Sequence, residues 1–365
     1  MIRAVLCGLA GVLATLVSIA PAWADPIRDA QWHLDYLNVS QAHQLSQGNG
    51  VLVAVIDTGV DARHPDLRGN VRSGTDFTTD GQGGDGRADI DGHGTAMSGL
   101  IAAHGRTLGI APKSEILPVR IIPSRFGLTG HLSEGVEWAI QHGAQVLCIA
   151  GSSYDHSDLR NAIERALSHN VVVVAGVGNV PTDIGVGAPA KYRGVVAAAG
   201  VDKKGNHAAV SAEGPEVVLA APAVDIMSID IRGPGHTGYG TSSGTSDATA
   251  ILAGAAALVR ARFPDLSAAE VVHRLTATAD DKGLPGHDHQ YGYGVVDLVR
   301  ALTADVPSLL TSEPPPSGPT PRAAPPSQPI DIPWLLVISA LALTIALTIL
   351  VVAYLRTRTS SGVAK

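Results

Sequence analysis

Gly240–Arg262, GTSSGTSDATAILAGAAALVRAR, runs from a turn of small residues straight into an apolar stretch, and the other elements of the 365-residue chain are arranged around it. Ala248, Ile251, Leu252, Ala255, Ala256 and Val259 recur at spacings of three and four, so one face is apolar and the run is predicted to be a buried helix. Ser246 then falls in the first turn. Backbone N–H groups there lack helical partners and the helix dipole favours negative charge, so an oxygen becoming negative beside Ser246 would meet ready donors. Such a site suits acyl transfer. Serine is also a preferred helix cap, and this stretch alone leaves both readings open.

Upstream, Val51–Ile56 is a continuous apolar run, as expected of a parallel strand covered on both faces, and it stops abruptly at Asp57-Thr58-Gly59. The carboxyl ends of such strands carry active sites. A Gly- and Asp-rich loop, Thr79–Asp91, leads into Gly92-His93-Gly94-Thr95, which puts His93 at the start of a helix through Met97, Leu100 and Ile101. Further strands are predicted at Ile116–Ile121, Gln145–Ile149, Val171–Ala175 and Val195–Ala199. Helices are predicted at Ser40–Leu45, Leu132–His142 and Leu159–His169. The alternation defines an α/β class with three layers, a mostly parallel sheet flanked by helices.

With 45% hydrophobic residues the chain has ample material for a core, which excludes disorder throughout. Residues 1–24 combine Arg3, an apolar run and Ala22-Trp23-Ala24, the form of a secretory signal cleaved after Ala24. A single-pass helix is the competing reading of that run. From Val306 to Ile332 the chain is Pro-rich, which favours extended conformations and predicts a semi-stiff stalk. Trp334–Leu355 carries no charge and would span about 33 Å as a helix, enough to cross a membrane. Arg356, Arg358 and Lys365 beyond it put the C-terminus in the cytoplasm, so the bulk faces outward. The expected layout is thus a signal over 1–24, a folded domain over 25–305, a stalk over 306–332, a membrane helix over 333–355 contacting lipid, and a tail over 356–365. The formal net charge is −7, and it becomes more negative once the leader and the basic tail are set aside; nucleic acid is not an expected partner. Cys7 leaves with the signal, so Cys148 is the one thiol expected in the mature chain and an intramolecular disulfide is excluded.

Asp57 in VAVIDTGV, His93 in DGHGT and Ser246 in SSGTSDATA stand in the order Asp, His, Ser, and together they resemble the subtilisin-like serine proteases. Likeness continues through HPDL at His64–Leu67, GIAP at Gly109–Pro112, AAP at Ala220–Pro222 and YGYGVVDL at Tyr291–Leu298, covering roughly residues 28–302. The resemblance implies a subtilisin-like fold and hydrolysis of peptide bonds in a polypeptide substrate, with no cofactor and no metal at the catalytic centre. His93 would be general base and then general acid, because a serine hydroxyl is a poor nucleophile until its proton is taken. Asp57 would fix the imidazole tautomer and stabilise the imidazolium. Asn179, after the strand-like Val171–Gly178, resembles the family's oxyanion asparagine. Ala150-Gly151-Ser152 occupies the position of the family's specificity wall, implying substrate contact by Gly151 and Ser152, although it departs from the usual Ser-Leu-Gly. Ala250 stands where proline is usual. Asp247 follows the nucleophile where an uncharged residue is common, and an anion there would discourage acidic residues just after the scissile bond.

The whole layout is similar to the mycosins, membrane-anchored subtilases associated with type VII secretion in actinobacteria, which implies a secretion complex in the membrane as a partner. Few residues separate Ala24 from Asp57, and Ile101–Pro112 passes to the next strand without the calcium-binding insertion common in secreted subtilisins. Neither a separate propeptide nor tightly held calcium is expected. Asp66 matches one calcium ligand of the family, but a single carboxylate holds calcium poorly.

Three other readings compete. Asp-Thr-Gly also marks aspartic proteases, which need a second such aspartate that the chain lacks. A subtilase fold kept only as a scaffold would have lost its motifs. His287-Asp288-His289 offers metal-ligating side chains without an ordered spacing.

Overall fold

The computed structural model describes residues 25–78, 84–123, 131–232 and 237–309. Three short helices, α1 (Pro26–Asp29), α2 (Trp32–Tyr36) and α3 (Val39–His43), lead to β1 (Leu52–Asp57). There follow β2 (Thr75–Asp76), α4 (His93–Ala102), β3 (Glu115–Arg120), α5 (Leu132–Gln141), β4 (Val146–Ile149), α6 (Ser157–Ser168), β5 (Val172–Gly176) and β6 (Val196–Val201). The last elements are β7 (Leu219–Pro222), β8 (Ile226–Asp230), β9 (Gly238–Ser242), α7 (Thr245–Arg262), α8 (Ala268–Ala277) and α9 (Leu298–Thr303).

Seven strands pair in the order β2-β3-β1-β4-β5-β6-β7, every pair parallel, while β8 and β9 form a separate antiparallel hairpin. The strand side chains alternate between two cores. Val53, Val55, Val146, Cys148, Val172 and Val174 join one with α4, α7 and α8. Leu52, Ala54, Ile56, Leu147, Ile149 and Val173 join the other with α5 and α6. Helices on both faces therefore bury every residue of β1, β4, β5 and β6, which is why these strands read as unbroken apolar runs.

The helix α7 lies under β4, β5, β6 and β7 and against α4, and Thr245 and Asp247–Arg260 are buried. Its alanines and glycine permit that close approach. A Cβ at Gly254 would lie 2.7 Å from Ile110 Cβ, too near for any real side chain without displacement. The buried helix expected here is found, covered on all sides.

Each strand and helix expected over residues 40–199 is found, with ends shifted by a few residues. Among the described residues no helix is long and apolar enough to cross a membrane. The expected signal at 1–24, most of the stalk, the membrane helix at 333–355 and the tail lie outside the described residues. At the stalk's start, Ser308 donates a hydrogen bond of 2.6 Å to Glu270 Oε1 at the head of α8, so ordered contact extends three residues past the expected domain end at 305.

Candidate active site

The carboxyl ends of β1, β4 and β5 and the first residues of α4 and α7 meet at a cleft of about 450 Å³, lined among others by Asp57, His93, Gly151, Ser152, Asn179 and Ser246. Every residue singled out in the sequence for catalysis or substrate contact is on its wall.

Asp57 ends β1 with its carboxylate 3% exposed. Its Oδ1 accepts from Thr58 N–H at 2.7 Å, and His93 Nδ1 lies 2.8 Å and 2.9 Å from its two oxygens. The turn beneath is braced by the buried Arg120, whose Nε donates to the Thr58 carbonyl at 3.0 Å and whose Nη1 pairs with Asp76 at 2.9 Å. Thr58 Oγ1 in turn accepts from Gly94 N–H at 2.9 Å, tying the strand end to the first turn of α4.

That turn has a second organiser. Asp89 accepts from Asp91 N–H, Gly92 N–H, Thr95 N–H and Thr95 Oγ1, at 2.7–3.1 Å, and so holds the loop that delivers His93. The sequence showed only a Gly/Asp-rich loop here, and the role of Asp89 as the loop's anchor was missed. Its one signal is position, a carboxylate four residues before His93.

Burial by itself would lower the His93 pKa, but the charge of Asp57 and its hydrogen bond, with Asp247 and Asp91 adding, raise it to about 9. An imidazole held by Nδ1 on a carboxylate presents Nε2 to the cleft and can exchange a proton there.

Ser246 is the second residue of α7, after the N-cap Gly244. Its hydroxyl donates to the Ala150 carbonyl at 2.9 Å, and no hydrogen bond joins it to His93. Its backbone N–H has no acceptor among the described residues. Asn179 stands alongside. Gly178, at φ +106, makes the bend after β5, and Asn179 Oδ1 accepts from Thr245 N–H at 2.9 Å, which leaves its Nδ2 without a protein acceptor among the described residues. Two unused donors, the Asn179 amide and the Ser246 N–H, can receive an oxyanion between them. Gly151 and Ser152 follow β4 and are exposed beside Ala150.

Asp247 differs from its expected character. Rather than an anion offered to substrate, its side chain is 1% exposed; burial drives its pKa up to about 7, against a 2.7 Å hydrogen bond from Ser242 and the charges of His93 and Arg232. Arg232, paired with Asp230 through two bonds of 2.8 Å, and Thr182 and Asp183 also line the cleft, and nothing in their local sequence marked them.

Asp66 is buried away from the cleft. Its Oδ2 accepts from Thr107 N–H at 2.7 Å and Thr107 Oγ1 at 2.8 Å, and its Oδ1 from Tyr239 OH at 3.1 Å. One carboxylate already saturated by protein donors does not fit calcium, which takes six to eight oxygens. His287 and Asp288 are likewise committed, the imidazole to the Val217 carbonyl at 2.7 Å and the carboxylate to backbone N–H groups of Leu284, Gln290 and Tyr291. Among the described residues no cluster of three potential ligands exists. The aspartic-protease reading also fails, because the partner of Asp57 is an imidazole.

A parallel sheet between helical layers, with these side chains at its carboxyl edge, is an architecture shared with known peptidases. The chain belongs to the subtilase family, Peptidase S8, which it matches over residues 48–294, and it is a serine endopeptidase. It is 36% identical over 278 residues to the thermostable alkaline protease of Halalkalibacterium halodurans, covering 74% of this chain and 73% of that protein. It is 33% identical over 344 residues to Mycosin-1 of Mycobacterium tuberculosis, covering 78% of this chain and 76% of the relative. Among solved structures, MycP1 with its N-terminal propeptide removed superposes with a TM-score of 0.66 at 32% identity, over 76% of this chain and 99% of that one. MycP3, a protease from the type VII (ESX-3) secretion system, gives 0.65 at 32% identity, over 77% and 90%.

Proposed function

We propose that the chain cleaves polypeptides outside the cytoplasmic membrane, with Ser246 as nucleophile, His93 as general base and then general acid, Asp57 as the carboxylate that orients the imidazole, and Asn179 as an oxyanion donor. The observation that carries this reading is the Asp57–His93 pair opening on the same cleft as Ser246 and Asn179. In the reaction, the Ser246 hydroxyl leaves the Ala150 carbonyl and turns to His93 Nε2, which takes its proton as Oγ attacks the scissile carbonyl carbon. The carbonyl oxygen gains the negative charge between Asn179 Nδ2 and Ser246 N–H. His93 then protonates the leaving amine, and a water molecule repeats the sequence to release the acid. Gly151 and Ser152 flank the acyl side of the substrate.

The leader at 1–24 and the apolar segment at 333–355 support a single-pass anchor, with the domain at 25–305 outside, the stalk at 306–332 as spacer and the tail at 356–365 in the cytoplasm. Likeness to the peptidases of type VII secretion supports a membrane complex of that kind as partner. A catalytically silent scaffold is the second reading, and the hydrogen bond of Ser246 to Ala150 instead of His93 is what favours it. A fluorophosphonate probe separates the two. Covalent labelling of the full chain, lost in Ser246→Ala, is the expected result; a folded protein that resists the probe at every pH is the scaffold.

A further inference from the structure

Asp247 is a buried carboxylate that the reaction above does not use. It occupies the third position of α7, next to the nucleophile, and lines the cleft together with Asp57, His93 and Arg232. A carboxylate 1% exposed is ordinarily surrounded by donors, because an ion taken out of water needs them. Asp66 accepts from three donors, and Asp57 from two, Thr58 N–H and His93 Nδ1, the latter shared between its oxygens. Asp247 accepts one, from Ser242, and forms no ion pair among the described residues. Beyond that bond, the charges of His93 and Arg232 favour its ionised form, and the first turn of a helix is a favourable place for an anion.

We propose that Asp247 is a positioning residue for His93, a second buried carboxylate lining the same cleft from the nucleophile's helix, whose charge strengthens the imidazolium formed when the Ser246 proton is taken. This rests on the serine-peptidase reading of the cleft. Two carboxylates then act on one imidazole in different ways. Asp57 fixes its orientation through Nδ1, while Asp247 acts through space, contributes no hydrogen bond and responds to pH itself. With Asp247 pushed up to about 7 by burial, it is ionised before His93 loses its proton at about 9. When His93 becomes free to act as a base, both anions are in place. The other charged or titratable groups of this region are Asp57 from β1, Asp91 from the loop before α4 with Asp89 behind it near Asp57, Arg232 held by Asp230 at the end of β8, Asp183 beyond β5, and the buried thiol of Cys148 on β4. Arg232 is held by Asp230, so His93 is the cation whose charge changes during turnover.

Full-length Asp247→Asn keeps the shape and the acceptor for Ser242 and removes the charge. The pH midpoint of fluorophosphonate labelling, and of kcat/KM on a peptide substrate, is expected to fall by about one unit, with a several-fold lower plateau in kcat at unchanged KM. Ser242→Ala breaks the hydrogen bond but keeps the charge, and is expected to leave the His93 midpoint near that of the unaltered protein. In the inactive Ser246→Ala background, the low-field proton of His93 followed by NMR should titrate with the same displacement when Asp247→Asn is added, whatever happens to turnover. An unmoved midpoint in all three measurements overturns the proposal and leaves Asp247 a helix-end carboxylate. Absence of labelling at any pH in the unaltered protein overturns the serine-peptidase reading instead.

Discussion

Asp66 and Asp247 are both buried carboxylates, one behind α4 and one at the head of α7, and their surroundings are opposite. Asp66 is enclosed by Thr107 and Tyr239, which supply three hydrogen bonds, and a Cβ added at Gly105 would lie 2.0 Å from its Oδ1. Asp247 has one hydrogen bond and an open cleft beside it. Burial is equal and donor supply is not. A carboxylate enclosed by donors serves the fold, whereas a sparsely solvated one is left responsive to the charge of its neighbours. The same division separates the two halves of the site, with Asp57 and Asp89 braced by backbone donors and, among the described residues, the Ser246 N–H and the Asn179 side-chain amide left without acceptors.

The largest test of that division is on the unused side. Ser246→Ala should lower kcat by roughly 10⁶ while leaving thermal unfolding unchanged, and adding His93→Ala should lower it little further, since the residues act as a unit. Additive losses in the double variant would break the comparison at its strongest point. Asn179→Ala should cost about 10²–10³ in kcat with KM nearly constant, because its amide engages the oxygen only as charge develops. A change confined to KM would move Asn179 from the oxyanion to ground-state binding.

Asp66→Ala should do the reverse, lowering stability by about 3 kcal/mol in denaturant titration, as the buried donors of Thr107 and Tyr239 lose their acceptor, with kcat/KM preserved. A strong calcium chelator should leave the midpoint of unfolding where it was, because an ion not held by the native state cannot shift it. A large chelator effect would mean that Asp66 is a ligand after all.

The smallest effect is a graded one. His93 is raised to about 9, so its protonated, unreactive form dominates below that pH; kcat/KM should climb about tenfold per unit on approach and level off above. The sign for stability is opposite. The Asp57–His93 pair contributes stability fully present below about 6.5, the value in an unfolded chain, and lost as pH rises through about 9. Activity and stability profiles that rise together would contradict the assignment.

Legibility in the sequence followed how local the physics was. The strands β1, β4, β5 and β6 are covered on both faces, so apolar runs marked them and their ends located Asp57 and Asn179. By contrast β9, GYGTS, carries a single large side chain, Tyr239, and exists by pairing with β8; its register, Ile226 opposite Ser242, is invisible until the hairpin closes. The capping box of Ser267 and Glu270 marks the start of α8 locally, whereas α1, α2 and α9, of 4, 5 and 6 residues, are too short to leave a helical period in the sequence. The partners of Asp66 lie 41 and 173 residues away, and Arg232 reaches the cleft only because β8 packs on α4. For Asp247, residue type was readable but burial was not, so the sequence suggested an anion presented to substrate where the structure has a shielded one.

Cys148 lies within the layer joining β4 to α7, fully buried, and that burial drives its thiol far above the usual cysteine range. The thiolate is the form that attacks disulfides, alkylating reagents and soft metals, so in the folded protein this sulfur is chemically silent. It is the one cysteine among the described residues, and once Cys7 is replaced, a cysteine placed on the surface by mutagenesis becomes the single reactive thiol. Fluorophores, spin labels or cross-linkers can then be installed beside the cleft.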